Sequence, residues 1–166
     1  MICSKSAPLI AVIGSSSPPK ALLDAYEVGK ELAVRAAIVL CGGLEGIMES
    51  VSRSVYEAGG TTVGILPGDD PTQANSFINI PIAAGMGSAR NAIITRAAQA
   101  VIAISGAFGT LSEIGHALPD GTTVVELDTW TFSTMGQEDT TLIRATTPKE
   151  AVERAIEAAQ QHRPKQ

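Results

Sequence analysis

Five short apolar runs, set between longer segments of helical spacing, constrain this chain more than any other feature. They are PLIAVIG (8–14), AAIVLCGG (36–43), TTVGILPG (61–68), QAVIAISG (99–106) and TTVVEL (122–127). Within each run the apolar residues are continuous rather than alternating, the pattern of strands covered on both faces. One helical segment opens at Ser17-Pro18-Pro19 and runs to about Arg35. A second starts near Gly46, places Ile47, Val51, Val55 and Ala58 on one face, and stops at Gly59-Gly60. Two more span about 88–98 and 109–118. Thr147-Pro148-Lys149-Glu150 supplies a cap, a first-turn proline and a capping-box glutamate for a last helix to about Gln161. Strand–helix alternation of this kind predicts an α/β fold: one doubly wound parallel sheet with right-handed crossovers and helices on both faces. The expected organisation is a single domain over 1–166, with a polar tail from about 162. Segment 67–87 reads as an irregular loop with one short extra strand near Ile78–Ile82.

Composition narrows the class. A chain of 166 residues with 45% hydrophobic and 17% charged residues can bury a real core and is neither disordered nor a coiled coil. With 12 basic and 17 acidic residues its net charge is −5, which gives no footprint for general nucleic-acid binding, a local basic site aside, so no nucleic-acid partner is expected. Cys3 and Cys41 make neither a disulfide framework nor a metal quartet, and Cys41 reads as a small buried hydrophobe. The apolar stretch near the N-terminus is too short and too late for a secretory signal, and no run reaches the ~20 apolar residues of a membrane helix. The expectation is a cytoplasmic protein with no membrane partner.

Open α/β sheets bind ligands beyond the carboxyl ends of their strands, where strand order reverses. Three turns belong on that edge: Gly14-Ser15-Ser16-Ser17, Gly42-Gly43-Leu44-Glu45-Gly46 and Gly106-Ala107-Phe108-Gly109-Thr110. Glycine lets the backbone approach a ligand, and the helix that follows offers free N–H groups and a positive dipole end, so the turns predict a phosphate-bearing ligand. Neither G-x-G-x-x-G nor G-x-x-x-x-G-K-[ST] occurs, which disfavours ordinary dinucleotide and P-loop sites.

Among charged side chains, Arg90 is either a solvated arginine or an anion clamp. Glu113 is either an acid favoured by its helix dipole or a group that orients a hydroxyl or activates water. His116, three residues after Glu113, brings no further ligand pattern, so no metal site is expected. Asp69, Asp70 and Asn75 read as turn formers. Trp130 and Phe132 read equally as core, subunit contact or ligand stack. The five lysines lie at termini or on predicted helix faces, none placed for a pyridoxal Schiff base.

CGGLEGIM, SARN and SGAFGTLSE together resemble the Lonely Guy superfamily over roughly residues 8–127. Members of that family are cytokinin nucleoside 5′-monophosphate phosphoribohydrolases with a Rossmann-like fold, usually dimers, and are often mislabelled lysine decarboxylases. Their motifs read G-G-G-x-x-G-x-M, M-H-x-R-K and P-G-G-x-G-T-x-x-E. Gly42, Gly43, Gly46 and Met48 fit the first, Arg90 the second, and Gly106, Gly109, Thr110 and Glu113 the third. The resemblance implies that Arg90 orients a ribose-phosphate and that Glu113 helps water cleave the N-glycosidic bond, a reaction that needs no cofactor.

The chain also departs from these motifs. Cys41, Gly87, Ser88, Asn91, Ser105 and Ala107 stand where the family has glycine, Met-His, lysine, proline and glycine. In these departures the sequence looks more like the branch that contains molybdenum cofactor carrier proteins, which hold a pterin phosphate carrying molybdenum and are not regarded as hydrolases. That resemblance implies binding rather than catalysis. The ligand would be held by Gly14, Ser15, Gly42, Gly43, Gly46, Arg90, Gly106, Ala107, Phe108, Gly109, Thr110 and Glu113, in a homodimer or homotetramer. The alternative is a hydrolase in which Arg90 and Glu113 are catalytic, and a third reading is a regulatory module for another nucleotide.

Overall fold

The computed structural model describes residues 7–15, 19–138 and 141–162. Its centre is a seven-stranded sheet in the order β4-β3-β2-β1-β5-β6-β9, with every neighbouring pair parallel. The strands are β1 Leu9–Ile13, β2 Ile38–Cys41, β3 Thr61–Leu66, β4 Ile80–Ala83, β5 Ala100–Ile104, β6 Thr123–Leu127 and β9 Ile143–Ala145. A two-stranded antiparallel hairpin, β7 Ser133–Thr134 with β8 Gln137–Glu138, stands apart. The helices are α1 Pro19–Val34, α2 Ile47–Glu57, α3 Asn91–Ala97, α4 Phe108–Ala117 and α5 Pro148–Gln161. The chain winds outward from β1 through β2, β3 and β4, then returns to place β5 on β1's other side, so strand order reverses between β1 and β5. This is the α/β, Rossmann-like arrangement expected.

The continuous apolar runs divide between two cores because side chains alternate across a strand. On β5, Ala100, Ile102 and Ile104 join a core built with α1, α2 and α5, while Val101 and Ala103 join a second core with α3 and α4. Ile10 and Val12 of β1 face the first core and Ala11 and Ile13 the second. Burial of each such Val or Ile contributes roughly 1.5–3 kcal/mol, which holds the central strands firmly in register. Cys41 is fully buried, its Sγ 3.6 Å from Ser52 Oγ, and burial pushes its thiol pKa up.

Sequence and structure differ at the edges of the sheet. The extra strand in 67–87 is Ile80–Ala83, and Pro81 is tolerated there because β4 is an edge strand. The seventh strand, β9, and the hairpin were not expected. They are two or three residues long, and β9 has Arg144 at its centre, so neither carries a readable apolar run. The segment Ser16-Ser17 of the serine-rich turn, and Cys3, lie outside the described residues. Among the described residues no helix is long and apolar enough to cross a membrane.

Candidate functional site

At the reversal of strand order a cleft opens beyond the ends of the strands, bordered by residues that follow β1, β2 and β5. Gly14 ends β1 with no room for a side chain: a Cβ there would stand 2.6 Å from the Ile104 carbonyl oxygen and 2.8 Å from Ile47 Cγ2. In the turn after β2, a Cβ on Gly42 would meet the Arg90 guanidinium at 2.6 Å and Met48 Sδ at 2.7 Å. Gly43 takes φ +74° and lies against Gly64 and Leu66 of β3. In the turn after β5, Ser105 takes φ +52°, Gly106 lies against Thr129 and Trp130, and Ala107 opens α4 in extended conformation with no side-chain cap. The first N–H groups of α4 are therefore left to solvent or ligand.

Arg90 is not the solvated arginine of one sequence reading. It is 8% exposed, at the end of a 3-10 turn (Gly87–Arg90) that leads into α3. Its Nη1 donates to Asn91 Oδ1 at 2.7 Å and stands 3.6 Å from Glu113 Oε1, while its Nε is buried without a partner. Glu113, 7% exposed, is one turn into α4. Burial pushes its pKa up to about 7, and the nearby Arg90 offsets only part of this. Burial likewise lowers the pKa of Arg90, against the pull of Glu113. The pair is a contact of two desolvated groups without a direct hydrogen bond between them. Thr110, 2% exposed, has a buried hydroxyl with no hydrogen-bond partner.

These groups line one cleft of about 850 Å³. Of the residues expected at a ligand, Gly14, Ser15, Gly42, Arg90, Gly109, Thr110 and Glu113 face it. Gly43, Gly46, Gly106, Ala107 and Phe108 do not. Gly43 and Gly106 are turned to protein instead, Gly46 caps α2 at φ 72°, and Phe108 is exposed with its ring 6.3 Å from that of Trp130. Trp130 and Phe132 pack against the second core.

Sequence reasoning missed Glu49, Gln73 and Ser76 of the lining and placed no role on Glu45. It also took Asn75 only as a turn former. Asn75 does accept from Phe77 N, but its Nδ2 donates to the Leu44 carbonyl at 2.8 Å and its N–H to the Gly43 carbonyl at 2.9 Å. The loop thereby lies over the turn after β2 and becomes a wall of the cleft. Its length without regular structure was the available signal. Asp70 is the turn former expected, accepting from Thr72 N at 2.9 Å. His116 is exposed while Glu113 is buried, and the described residues hold no group of three or more metal-ligating side chains.

Comparison with known proteins places this geometry in a family. The model of the SLOG cluster4 family matches residues 7–152. The chain belongs to that family. A protein of Archaeoglobus fulgidus is 41% identical over 103 residues, 62% of this chain and 68% of that protein. A cytokinin riboside 5′-monophosphate phosphoribohydrolase of Arabidopsis thaliana is 34% identical over 107 residues, 61% of this chain. The match spans less than half the length of that enzyme, and likewise of a probable phosphoribohydrolase of the same kind from rice.

Solved structures cover more of the chain. The molybdenum cofactor binding protein of Rippkaea orientalis superposes with a TM-score of 0.82 at 29% identity, over 93% of this chain and 98% of that one. The molybdenum cofactor carrier protein of Chlamydomonas reinhardtii does so equally well, over 92% and 98%. The likeness to the Lonely Guy superfamily, and within it to the branch with the carrier proteins, therefore stands.

One expectation is corrected. DNA processing protein A of Helicobacter pylori, described with a single-stranded DNA binding mode, shares the fold at a TM-score of 0.69 and 16% identity. The exclusion of nucleic acid does not stand, because it rested on the net charge of the whole chain. A sum over all residues does not report the local field at a binding surface, and this fold is used by a DNA-binding protein.

Proposed function

We propose that the protein binds a phosphate-bearing, nucleotide-like ligand in the cleft at the carboxyl edge of the sheet, and that this ligand is the molybdenum cofactor, a pterin phosphate, held as cargo. The observation that carries the reading is the pair of unsatisfied buried donors, Thr110 Oγ1 and Arg90 Nε, on one cleft. A buried donor without an acceptor costs about 1–3 kcal/mol, and an anionic oxygen would satisfy both. Arg90 would present its fork to the phosphate, Thr110 and the first N–H groups of α4 would donate to it, and Glu113 would accept from a ligand hydroxyl or N–H. Gly14, Ser15 and Gly42 would let the ligand lie close to the backbone. The two molybdenum cofactor proteins that cover nearly the whole chain support this choice of ligand. Native mass spectrometry of protein isolated from its own host, with metal analysis, tests it. A bound pterin phosphate with molybdenum is expected; protein carrying neither, and showing no affinity for phosphate compounds in calorimetry, sinks the reading.

A second reading is favoured by one specific observation, the Glu113 carboxyl titrating near neutrality beside Arg90. In a phosphoribohydrolase, Arg90 would hold the ribose-phosphate while Glu113 assists as the C1′–N bond breaks. Water would add to C1′ and the base would leave with a proton. Incubation with AMP separates the two readings. Release of adenine and ribose 5-phosphate, abolished by Glu113→Gln, would move the assignment to the hydrolase.

A further inference from the structure

For an anion site, the cleft carries too much negative charge. Its lining holds one cation, Arg90, against three carboxyls, Glu45, Glu49 and Glu113. Glu113 faces Arg90, but Glu45 and Glu49 have no hydrogen-bond or ion-pair partner among the described residues. The dipole of α2 favours Glu49 in its first turn, whereas Glu45 stands outside the helix, before its N-cap Gly46. The polar groups are also ordered by strand, with Arg90 between them, its guanidinium over Gly42 and 3.6 Å from Glu113 Oε1. Glu45 and Glu49 follow β2 on one side of β1, and Thr110 and Glu113 follow β5 on the other. The unsatisfied Thr110 hydroxyl, 2% exposed, marks the β5 side as the place of an acceptor-rich ligand group. A phosphate settled there leaves Glu45 and Glu49, after β2 in the same cleft, for the rest of the ligand.

We infer that the cleft is bipolar, and that Glu45 and Glu49 receive a heterocycle edge with two adjacent N–H groups, the amino-oxo-pyrimidine edge that a pterin shares with guanine. The inference rests on the phosphate reading above. A carboxylate accepts two parallel N–H bonds from such an edge. The edge of a 6-aminopurine instead sets a ring-nitrogen lone pair beside its single amino group, and a carboxylate repels it. Half-buried Glu49 carries more of this discrimination than exposed Glu45, whose charge is better screened.

Calorimetry with GMP, AMP and ribose 5-phosphate, on the wild-type chain and on the double variant Glu45→Gln/Glu49→Gln, tests it. The wild type is expected to prefer GMP over AMP by about tenfold, the worth of one good bidentate contact. In the double variant that ratio falls to about one, while ribose 5-phosphate binds at least as tightly, since two repelling charges have gone. Equal affinity for GMP and AMP in the wild type overturns the inference, and so does a preference that survives in the double variant. A GMP preference seen only with magnesium present overturns it too, because the carboxylates would then be holding a cation. If ribose 5-phosphate binds without any GMP preference, this inference fails alone. If none of the three binds, the phosphate reading fails and this inference falls with it.

Discussion

The two glycine turns that frame the cleft look alike in sequence and are built for different neighbours. After β2, Gly43 takes φ +74° and a Cβ on it would stand 3.0 Å from Leu66 and 3.3 Å from Gly64, so its glycine serves the passage of the chain over β3. Two carboxyls with no partner among the described residues, Glu45 and Glu49, accompany that turn into the cleft. After β5, a Cβ on Gly109 would meet nothing within 4 Å, and the turn brings a buried unsatisfied hydroxyl, Thr110, and the Glu113–Arg90 pair. Glycine spacing announces that a backbone is approached closely. It does not say whether protein or ligand does the approaching.

The largest expected effect that separates the two turns comes from the buried acid behind the second. The folded-state pKa of Glu113 is about 7 against an ordinary 4.5, so between these values the folded chain keeps a proton that the unfolded chain has released. Stability therefore falls as pH rises through that window and is lowest above it, by about 3 kcal/mol for a shift of this size. Urea denaturation at pH 5 and pH 8 should show that loss in the wild type and not in Glu113→Gln. Equal slopes in the two proteins would remove the acid from its special position.

Next comes Gly43→Ala, which forces a left-handed conformation on a residue with a Cβ and should cost about 1–2 kcal/mol. Its Tm should drop while affinity for ribose 5-phosphate stays within twofold; an unchanged Tm would mean the first turn is not held by the fold. Thr110→Val removes a buried hydroxyl that has no protein partner. Stability should hold or rise, and affinity for inorganic phosphate should fall roughly fivefold, the worth of about 1 kcal/mol. A drop in Tm with binding intact would make that hydroxyl part of the core. The smallest effect is Gly109→Ala, in a helix with open space beside it, which should raise stability by up to ~1 kcal/mol. A loss of stability there would show the two turns to be alike after all.

Much of the fold was legible because its signals are local. Runs such as AVIAI (100–104) are fully buried in the sheet, and the Thr147 cap forms as read, with Glu150 N donating to Thr147 Oγ1 at 3.2 Å, while the Glu150 carboxylate closes no capping box and accepts from Thr146 N at 2.9 Å instead. The short β9 and the hairpin were not legible, since two or three residues hold too little pattern to separate a strand from a loop. The site was legible in part. Arg90 and Glu113 stood out by type and position, but the burial of Arg90 depends on its packing over Gly42, a contact between residues 48 apart in the chain. The wall supplied by Asn75 and Gln73 was hidden because its hydrogen bonds reach back to Gly43 and Leu44 from a loop with no periodicity.

What the sequence determined by itself was the class of fold and the edge of the sheet where the cleft opens. Continuous apolar runs require strands covered on both faces, and glycine turns before helices mark the edge where strands pass into helices. What only the tertiary structure decided was which glycines of those turns face the cleft, that Arg90 and Glu113 share it as a desolvated pair, and that Glu45 and Glu49 line it with them. Burial and charge pairing depend on neighbours brought together from distant parts of the chain, and no local pattern encodes the distance between them.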